Sequence, residues 1–446
     1  MAVTPATALR SELPRKLGAL DALNIVVGTI IGSAIFVVPS TVAQNLSSPW
    51  MMLAAWVLAG ILSLFGALGY AELGAMIPAT GGQYVFLREA WGPLWGFLCG
   101  WTFMLAARSG AIAAVAAGFA IYLSHFVPLT PVVSRIVAAA LILSLTFVNY
   151  RGVRLGANVQ NIFTAFKVLG LLVLIVSALA SGWNFEGFRS APGRDLSEAR
   201  FGLGIIACLW AYNGWYAISF VAGEIKDPGR NLPRAIIFGT GLVIVIYVLA
   251  NVAYLKTLTL PEIAAADRVA AAAAARTMGA AGAIFVSLTI LISTFGTTNG
   301  NMMTAPRLYF AQARDGLFFR SFGRVHPRFE TPYISIWGQG IWAAVLALSG
   351  SYVQLMAYAT FTFWIFYGMT VAGVIVLRRR RPDAPRPYKM WGYPVTAIAF
   401  TAIAAWLTVS SLISAPVTSA LGLLIVALGV PAYYIYRRWY TSLPPK

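Results

Sequence analysis

Two stretches of this sequence place helix-interrupting residues inside apolar runs. The first is GTIIGSAIF (28–36), where Gly28, Gly32 and Ser33 interrupt the run. The second is LWAYNGWYA (209–217), where an Asn-Gly pair does the same. A broken helix exposes carbonyl groups at one new end and amide groups at the other, and these ends suit a cation and an anion respectively. Both stretches are therefore predicted to bind small charged groups through the backbone.

Three ionisable residues also lie inside apolar segments. Lys167 lies about nine residues into its segment, roughly 13 Å along a helix axis. A lysine at the centre of a membrane costs about 2.5–3.5 kcal/mol, which makes it a functional candidate, unless its side chain extends to the interface. Arg108 and Glu72 are candidates of the same kind, or members of structural polar networks. For Glu72, close to Pro78, the structural interpretation is favoured.

Enzyme and metal chemistry find little support in the sequence. The motifs GxxxxGK[ST], HExxH and GxSxG do not occur. The segment GLGIIA (202–207) fits the nucleotide-binding pattern GxGxxA, but it follows a polar segment instead of a strand and lies inside a membrane-length run. His125 and His326 have no partners at metal-ligand spacing. We therefore predict no enzyme, no cofactor and no metal site.

The composition determines which elements carry these residues. Hydrophobic residues make up 59% of the 446 residues and charged residues 10%, and the mean hydropathy is +0.77. A membrane-crossing helix needs about 20 mainly apolar residues. Twelve apolar segments are long enough to be predicted as such helices, near residues 20–43, 50–77, 91–124, 132–149, 158–182, 201–222, 234–257, 281–310, 333–349, 352–377, 392–412 and 414–436.

The net charge of +18 is explained by the loops. When the loops are assigned alternately to two sides, most Lys and Arg residues fall on the amino-terminal side, as the positive-inside rule requires. The basic runs 307–328 and 378–389 are therefore predicted to be cytoplasmic loops, not nucleic-acid-binding patches. We expect a multi-pass protein of the plasma membrane (the cell inner membrane), with both termini in the cytoplasm.

The order of the segments predicts an inverted repeat. The first five helices (20–182) and the next five (201–377) have comparable lengths, and because five is odd, the second set runs in the opposite direction. Three regions follow: a cytoplasmic segment 1–19, a ten-helix core 20–377, and two further helices with the carboxyl terminus, 378–446. The interruptions fall in corresponding helices, 1 and 6, which favours a transporter binding site over close helix packing alone.

Five ordered motifs resemble the amino acid-polyamine-organocation superfamily, above all its L-type amino acid transporter branch. They are IIGSAIFVVP (30–39), YAELGAMIPATGGQYVFLREAWG (70–92), VQNIFTAFKVLGLL (159–172), WAYNGW (210–215) with EIKDPGRNLPRAI (224–236), and STFGTTNGNMMTAPRLYFAQARDG (293–316). This resemblance implies an all-α, leucine-transporter-like fold with a five-plus-five inverted repeat and broken helices 1 and 6. It also implies exchange of amino acids by alternating access.

The resemblance also implies roles for individual residues. The substrate's carboxylate would bind Ser33 and the backbone of Gly32 and Ala34, although the family usually has glycine where this chain has Ala34. The ammonium would bind backbone carbonyls, here those of Ile30, Trp210, Ala211 and Asn213.

Two further roles concern gating and coupling. Trp210 matches an aromatic gate over the substrate, with simple packing as the alternative. Lys167 would place its ammonium where sodium binds in sodium-coupled relatives, near the carbonyl of Gly28, which argues against sodium coupling.

The sequence thus predicts sodium-independent exchange of neutral L-amino acids, because the predicted pocket residues include no obvious partner for a charged side chain. Three alternatives remain open. If Lys167 releases its proton during the cycle, the protein is a proton symporter. Cationic amino acids or polyamines are other substrates to consider. A membrane sensor, a channel or an intramembrane enzyme belongs to a different functional class. A sensor would show no transport, a channel would show steady flux through an open pore, and an enzyme would turn over a substrate without transporting it.

The expected partners are the amino acid substrate and the lipid bilayer, with no nucleic acid. Human relatives in this branch join a heavy subunit through a cysteine in the loop between helices 3 and 4. The corresponding loop here, HFVPLTP (125–131), has no cysteine. Cys99 and Cys208 lie in separate apolar segments, as expected of buried thiols. We therefore expect no disulfide-linked heavy subunit.

Overall fold

The computed structural model describes residues 13–181, 188, 198–350 and 352–441, and the regular secondary structure within them is helical, apart from an isolated bridge between Leu17 and Ile225. Eight helices in these ranges are long and apolar enough to cross a membrane, and one bent helix pair adds a ninth candidate. This is the architecture of a multi-pass membrane protein.

The first half of the chain contains eight α-helices and one π-helical turn: α1 (Ala19–Ile30), α2 (Ala34–Asn45), α3 (Pro49–Met76), α4 (Gln83–Trp91), α5 (Pro93–Thr102), the π turn (Phe103–Ala107), α6 (Arg108–Leu123), α7 (Pro131–Tyr150) and α8 (Val153–Ala180). The second half contains α9 (Glu198–Ala211), a 3₁₀ helix (Ala217–Glu224), α10 (Pro228–Thr257), α11 (Leu260–Ala265), α12 (Val269–Met278), α13 (Ala280–Thr304), α14 (Pro306–Arg314), a second 3₁₀ helix (Arg320–Gly323), α15 (Tyr333–Ser349), α16 (Tyr352–Arg380), α17 (Val395–Ser414) and α18 (Pro416–Thr441).

Two discontinuous elements matter for the site. We call α1 with α2 the first broken helix, and α9 with the 3₁₀ helix Ala217–Glu224 the second broken helix. The axes of α1 and α2 differ by 41° across a three-residue gap. Around them, α10 packs on α3 and on α1, while α8 and α13 pack against each other and against α1. The break in the first helix is therefore enclosed by three long helices, α8, α10 and α13.

One end of the bundle is closed by contacts between its loops. The amide of Leu17 donates to the carbonyl of Glu224 at 2.9 Å, and the amide of Lys226 donates to the carbonyl of Leu17 at 2.9 Å. The Lys16 ammonium pairs with Glu330. Close by, the Glu224 carboxylate forms a bidentate pair with Arg307, at 2.8 and 3.2 Å, and neither side chain is exposed. The amino-terminal segment thus ties the second broken helix to the loop before α15.

The polar face at this end extends over α4. Arg88 pairs with Asp315 and Glu89, and Glu89 also accepts from Arg381 at 2.6 Å. Burial alone would raise the pKa of Glu89, but the hydrogen bonds from Arg381 and Arg88 outweigh it and hold that pKa below its usual value. The end of α4 and the loops that begin at residues 315 and 381 therefore lie together at the same face.

Candidate functional site

The first broken helix unwinds between Ile31 and Ser33, and not at Gly28 as the sequence had indicated. Gly28 lies in the last turn of α1, which ends at Ile30. A β-carbon on Gly28 would lie 2.1 Å from the Gln160 amide nitrogen on α8. Gly28 therefore allows close packing of α1 on α8, because a β-carbon there would have to displace the Gln160 side chain.

The second broken helix unwinds after Ala211, where α9 ends in a turn. Gly214 has a φ angle of +132°, a conformation that residues with a β-carbon rarely adopt. A β-carbon there would lie 2.7 Å from the carbonyl oxygen of Thr29, and the Thr29 hydroxyl donates to the Gly214 carbonyl at 3.2 Å. The second break thus packs directly on the last turn of α1, next to the first break.

A cavity of about 350 Å³ lies where the breaks meet. It extends along α6 from Arg108 to Ile121. Because α4 lies at the closed end and α5 and α6 follow it along the chain, α6 leads away from that end. Seven predicted binding residues line it: Ile30, Gly32, Ser33, Ala34, Trp210, Ala211 and Asn213. Lys167 and Gly28 are not among the lining residues. The volume is at the lower end of the range for small-molecule pockets, about 300–1,000 Å³.

The carbonyl groups bordering this cavity already have partners. The Tyr247 hydroxyl on α10 donates to the carbonyl of Ile30 at 3.1 Å and lies 3.5 Å from that of Ala211. The carbonyl of Trp210 accepts from the Asn213 amide at 3.2 Å. Each carbonyl oxygen can accept two hydrogen bonds, so a cation could still bind to these groups. Tyr247 was missed by sequence reasoning, because nothing along the chain indicates that α10 reaches both breaks.

At the other side of the first break, α2 begins with Ser33 as its N-cap residue. The Ser33 side chain makes no capping hydrogen bond to the helix. The first amides of a helix lack partners within it, and they carry a positive partial charge. The amino end of α2 therefore presents a hydroxyl and backbone amides to the cavity, a combination suited to a carboxylate.

Lys167 lies beside the first break and is fully buried. Its ammonium donates to the carbonyls of Gly28 (2.9 Å), Ile31 (2.8 Å) and Ser293 (3.0 Å), and to the Thr297 hydroxyl (3.1 Å). Four oxygen atoms thus surround the nitrogen. Ser293 and Thr297 lie in a motif that the sequence analysis singled out without assigning a role to either residue.

The hydroxyls of Ser293 and Thr297 also bind the unwound segment directly. Ser293 donates to the carbonyls of Ile31 and Gly32, both at 3.1 Å, and Thr297 to that of Ile31 at 3.0 Å. The carbonyl end of α1 is therefore held by side chains of α8 and α13.

The Trp210 side chain borders the cavity with 43% of its surface exposed. Asn213, also lining the cavity, accepts from the Tyr367 hydroxyl at 3.2 Å. Trp210 thus lies in the cavity wall with nearly half of its surface free of contacts with the rest of the protein.

Arg108 adds a charged residue that the sequence analysis had not placed in the pocket. It lines the cavity, is 4% exposed, and donates to the Asn301 side chain at 2.9 Å. Its guanidinium carbon lies 4.8 Å from the centre of the Tyr216 ring and 5.4 Å from that of Phe220. Cation–π contacts with two rings partly compensate the buried charge. The pocket wall therefore carries a positive charge.

Glu72 lies in a structural network away from the cavity. Its carboxylate accepts from the Arg378 guanidinium at 2.8 and 2.6 Å, and from the Met390 amide at 2.7 Å. Glu72 thus joins α3 to the end of α16 and the loop after it. Among the residues described, no group of three His, Cys, Asp or Glu side chains is arranged to hold a metal ion.

Comparison with known proteins places these features in context. The profile of a family described as amino acid permease matches residues 17–433. The chain is 36% identical to the human large neutral amino acids transporter small subunit 2 over 440 residues, which is 96% of this chain and 81% of that protein. It is 36% identical to the human b(0,+)-type amino acid transporter 1, over 96% of this chain and 88% of that protein. It is 35% identical to the serine/threonine exchanger SteT of Bacillus subtilis (strain 168), over 95% and 97% respectively.

Proposed function

The chain belongs to the amino acid permease family, and from this premise we propose that it exchanges neutral L-amino acids across a membrane, without sodium, by alternating access. The observation that carries this proposal is the meeting of two broken helices at one cavity of amino-acid size. Unwound backbone inside a membrane is tolerated where it lines such a cavity. Relatives named for large neutral amino acids and for serine and threonine support the substrate class.

The binding mode follows from the two kinds of helix end. In this proposal, Ser33 and the amides of Gly32 and Ala34 hold the carboxylate, since the amino end of α2 is positively polarised. The ammonium binds on the opposite side of the cavity, to the carbonyls of Ile30, Trp210, Ala211 and Asn213. A zwitterion thereby satisfies both ends at once.

Lys167 supports independence from sodium. An ammonium surrounded by four oxygen atoms occupies the space that a small cation would need beside the first break. We propose that this covalently attached cation replaces a bound ion and holds the end of α1 against α13. Exchange is favoured over proton symport because the ammonium has a full set of acceptors in this conformation.

Arg108 favours neutral substrates over cationic ones. A buried guanidinium in the cavity wall repels a second positive charge, and inside a protein this repulsion is weakly screened. Cationic amino acids and polyamines are therefore the weaker alternative.

The finer architecture belongs to the same proposal. Twelve spans result if the bent pair, the shorter apolar helices α9 and α15, and α16 cross the membrane with the other eight helices. We propose a five-plus-five inverted repeat within 20–377, preceded by the segment 1–19 and followed by two helices within 378–446. The closed end, with its basic loops, is assigned to the cytoplasm together with both termini.

Purified protein in proteoliposomes tests this function. Uptake of labelled L-alanine should be faster into vesicles loaded with L-serine than into empty ones, with sodium replaced by choline. Unlabelled serine and leucine should compete, and arginine and putrescine should not. Competition by arginine alone would contradict the proposed substrate class, and uptake driven by a pH gradient into empty vesicles would favour the proton symporter.

A further inference from the structure

The proline in α2 changes the hydrogen bonding of the first broken helix. Pro39 has no amide hydrogen, so the carbonyl four residues earlier, that of Ile35, loses its usual partner within the helix. The Tyr254 hydroxyl on α10 donates to this carbonyl at 3.3 Å. Both Tyr254 and Ile35 are fully buried. A side chain from another helix thus supplies the hydrogen bond that the proline removes.

The same helix contacts the other side of the break. Tyr247, seven residues before Tyr254, donates to the carbonyl of Ile30 at the end of α1. Seven residues are nearly two helical turns, about 10.5 Å along the axis. The carbonyls of Ile30 and Ile35 lie on either side of the unwound segment. Two hydroxyls on one continuous helix therefore contact both sides of the gap in which the carboxylate is proposed to bind.

We propose that Tyr254 is a positioning residue, which orients the amino end of α2 through the Ile35 carbonyl that Pro39 leaves without an amide partner. This inference rests on the proposed function, because the carboxylate is taken to bind at that end of α2. Tyr254 does not line the cavity. It acts through the orientation of Ser33 and Ala34, which lie one or two residues from Ile35, so a small rotation of α2 would displace both.

Simple packing is the competing explanation, because Tyr254 is buried with 0% of its surface exposed. Tyr254→Phe removes only the hydroxyl and leaves the ring in place. Tyr309 offers a matched control, since it is also fully buried and its hydroxyl has no hydrogen-bond partner within the described part of the chain. If packing alone matters, Tyr254→Phe and Tyr309→Phe should behave alike.

Four proteins test the link between Tyr254 and Pro39: the unchanged chain, Tyr254→Phe, Pro39→Ala and the double variant. For each, KM and the maximal rate of alanine–serine exchange are measured in proteoliposomes, and the melting temperature in detergent. Tyr254→Phe should raise KM about fivefold, the effect of losing one hydrogen bond, with a smaller change in maximal rate. In the Pro39→Ala background, an amide is available to the Ile35 carbonyl, and Tyr254→Phe should then change KM less than twofold.

The outcomes separate this inference from the proposed function. An equal KM shift in both backgrounds, or no shift with Pro39 present, would overturn the inference. Absence of amino acid transport by the unchanged chain would count against the proposed function instead. In that case the melting temperatures test the inference. Tyr254→Phe should lower the melting temperature with Pro39 present and leave it unchanged in the Pro39→Ala background. An equal decrease in both backgrounds would overturn the inference.

Discussion

The two broken helices border the same cavity but are stabilised in different ways. The first break is held by side chains from other helices: Lys167, Ser293, Thr297 and Tyr247 all donate to its carbonyls. The second break also accepts hydrogen bonds from the Thr29 and Tyr367 hydroxyls, but its course depends on its own backbone, through the turn after Ala211 and the positive φ of Gly214. The first break should therefore respond in a graded way to side-chain deletion, while the second depends on a residue without a β-carbon.

The largest effect is expected at Gly214. A methyl group there would lie 2.7 Å from the Thr29 carbonyl oxygen, in a backbone conformation that costs about 1–3 kcal/mol for other residues. Gly214→Ala should lose exchange and lower the melting temperature in detergent. Gly241→Ala on α10 is the control, because its β-carbon would meet no atom within 4 Å. Normal exchange by Gly214→Ala would remove the distinction between the two breaks.

Lys167→Ala is expected to have the next largest effect. Without the ammonium, the buried carbonyls of Gly28 and Ile31 lose a charged donor, a loss of about 1–3 kcal/mol or more. The ratio of the substrate affinities measured from the two sides of the vesicle should change by about tenfold, and transport should not become dependent on sodium. The control is Lys226→Ala, a lysine exposed at the closed end.

Two results would modify this interpretation of Lys167. If the variant instead abolishes a response to a pH gradient that the unchanged protein shows, the protein is a proton symporter. If neither the ratio nor the pH response changes, the lysine has no coupling role.

Ser33→Ala should weaken substrate binding by about 1–3 kcal/mol, because the hydroxyl proposed to donate to the carboxylate is lost. The effect should appear in KM for an amino acid but not in binding of its methyl ester, which carries no carboxylate. Ser40→Ala on the same half-helix is the control, since Ser40 donates to the Val37 carbonyl outside the cavity. Equal losses for both variants would argue against the carboxylate site.

The smallest effect is expected at Trp210, on the side of the second break. Trp210→Ala should slow exchange several-fold and change the melting temperature much less than Gly214→Ala does, since 43% of the residue surface is exposed. Trp406→Ala, half-exposed on α17, is the control for loss of a surface tryptophan. Normal transport by Trp210→Ala would return this residue to a packing role.

Hydropathy was sufficient to predict the long helices, because a membrane span has a minimum length that the sequence shows directly. It missed α4, α11 and α12, which lie in segments assigned to loops. These helices are short, and their positions depend on what they pack against. The alanine-rich α12 illustrates this, since its residues pack on α8 and α13.

The position of the first break was only partly predictable. A glycine in the sequence signals either an unwound backbone or a close approach, and Gly28 serves the second purpose against Gln160. Gly32 and Ser33 do lie in the gap between α1 and α2. Tyr247, Tyr254 and Ser293 could not be assigned in advance, because hydroxyl groups reach these carbonyls only after helices distant in sequence have packed together.

The burial of the two native cysteines has a practical consequence for following this protein in motion. Cys99 and Cys208 are both buried, so thiol-reactive dyes should attach selectively to cysteines introduced at the surface. Lys16 and Glu330 are suitable positions, being about half exposed and paired across the closed end. A dye pair there would report separation of the amino-terminal segment from the loop before α15 as a fall in energy transfer, one molecule at a time, without first replacing any native residue inside the bundle.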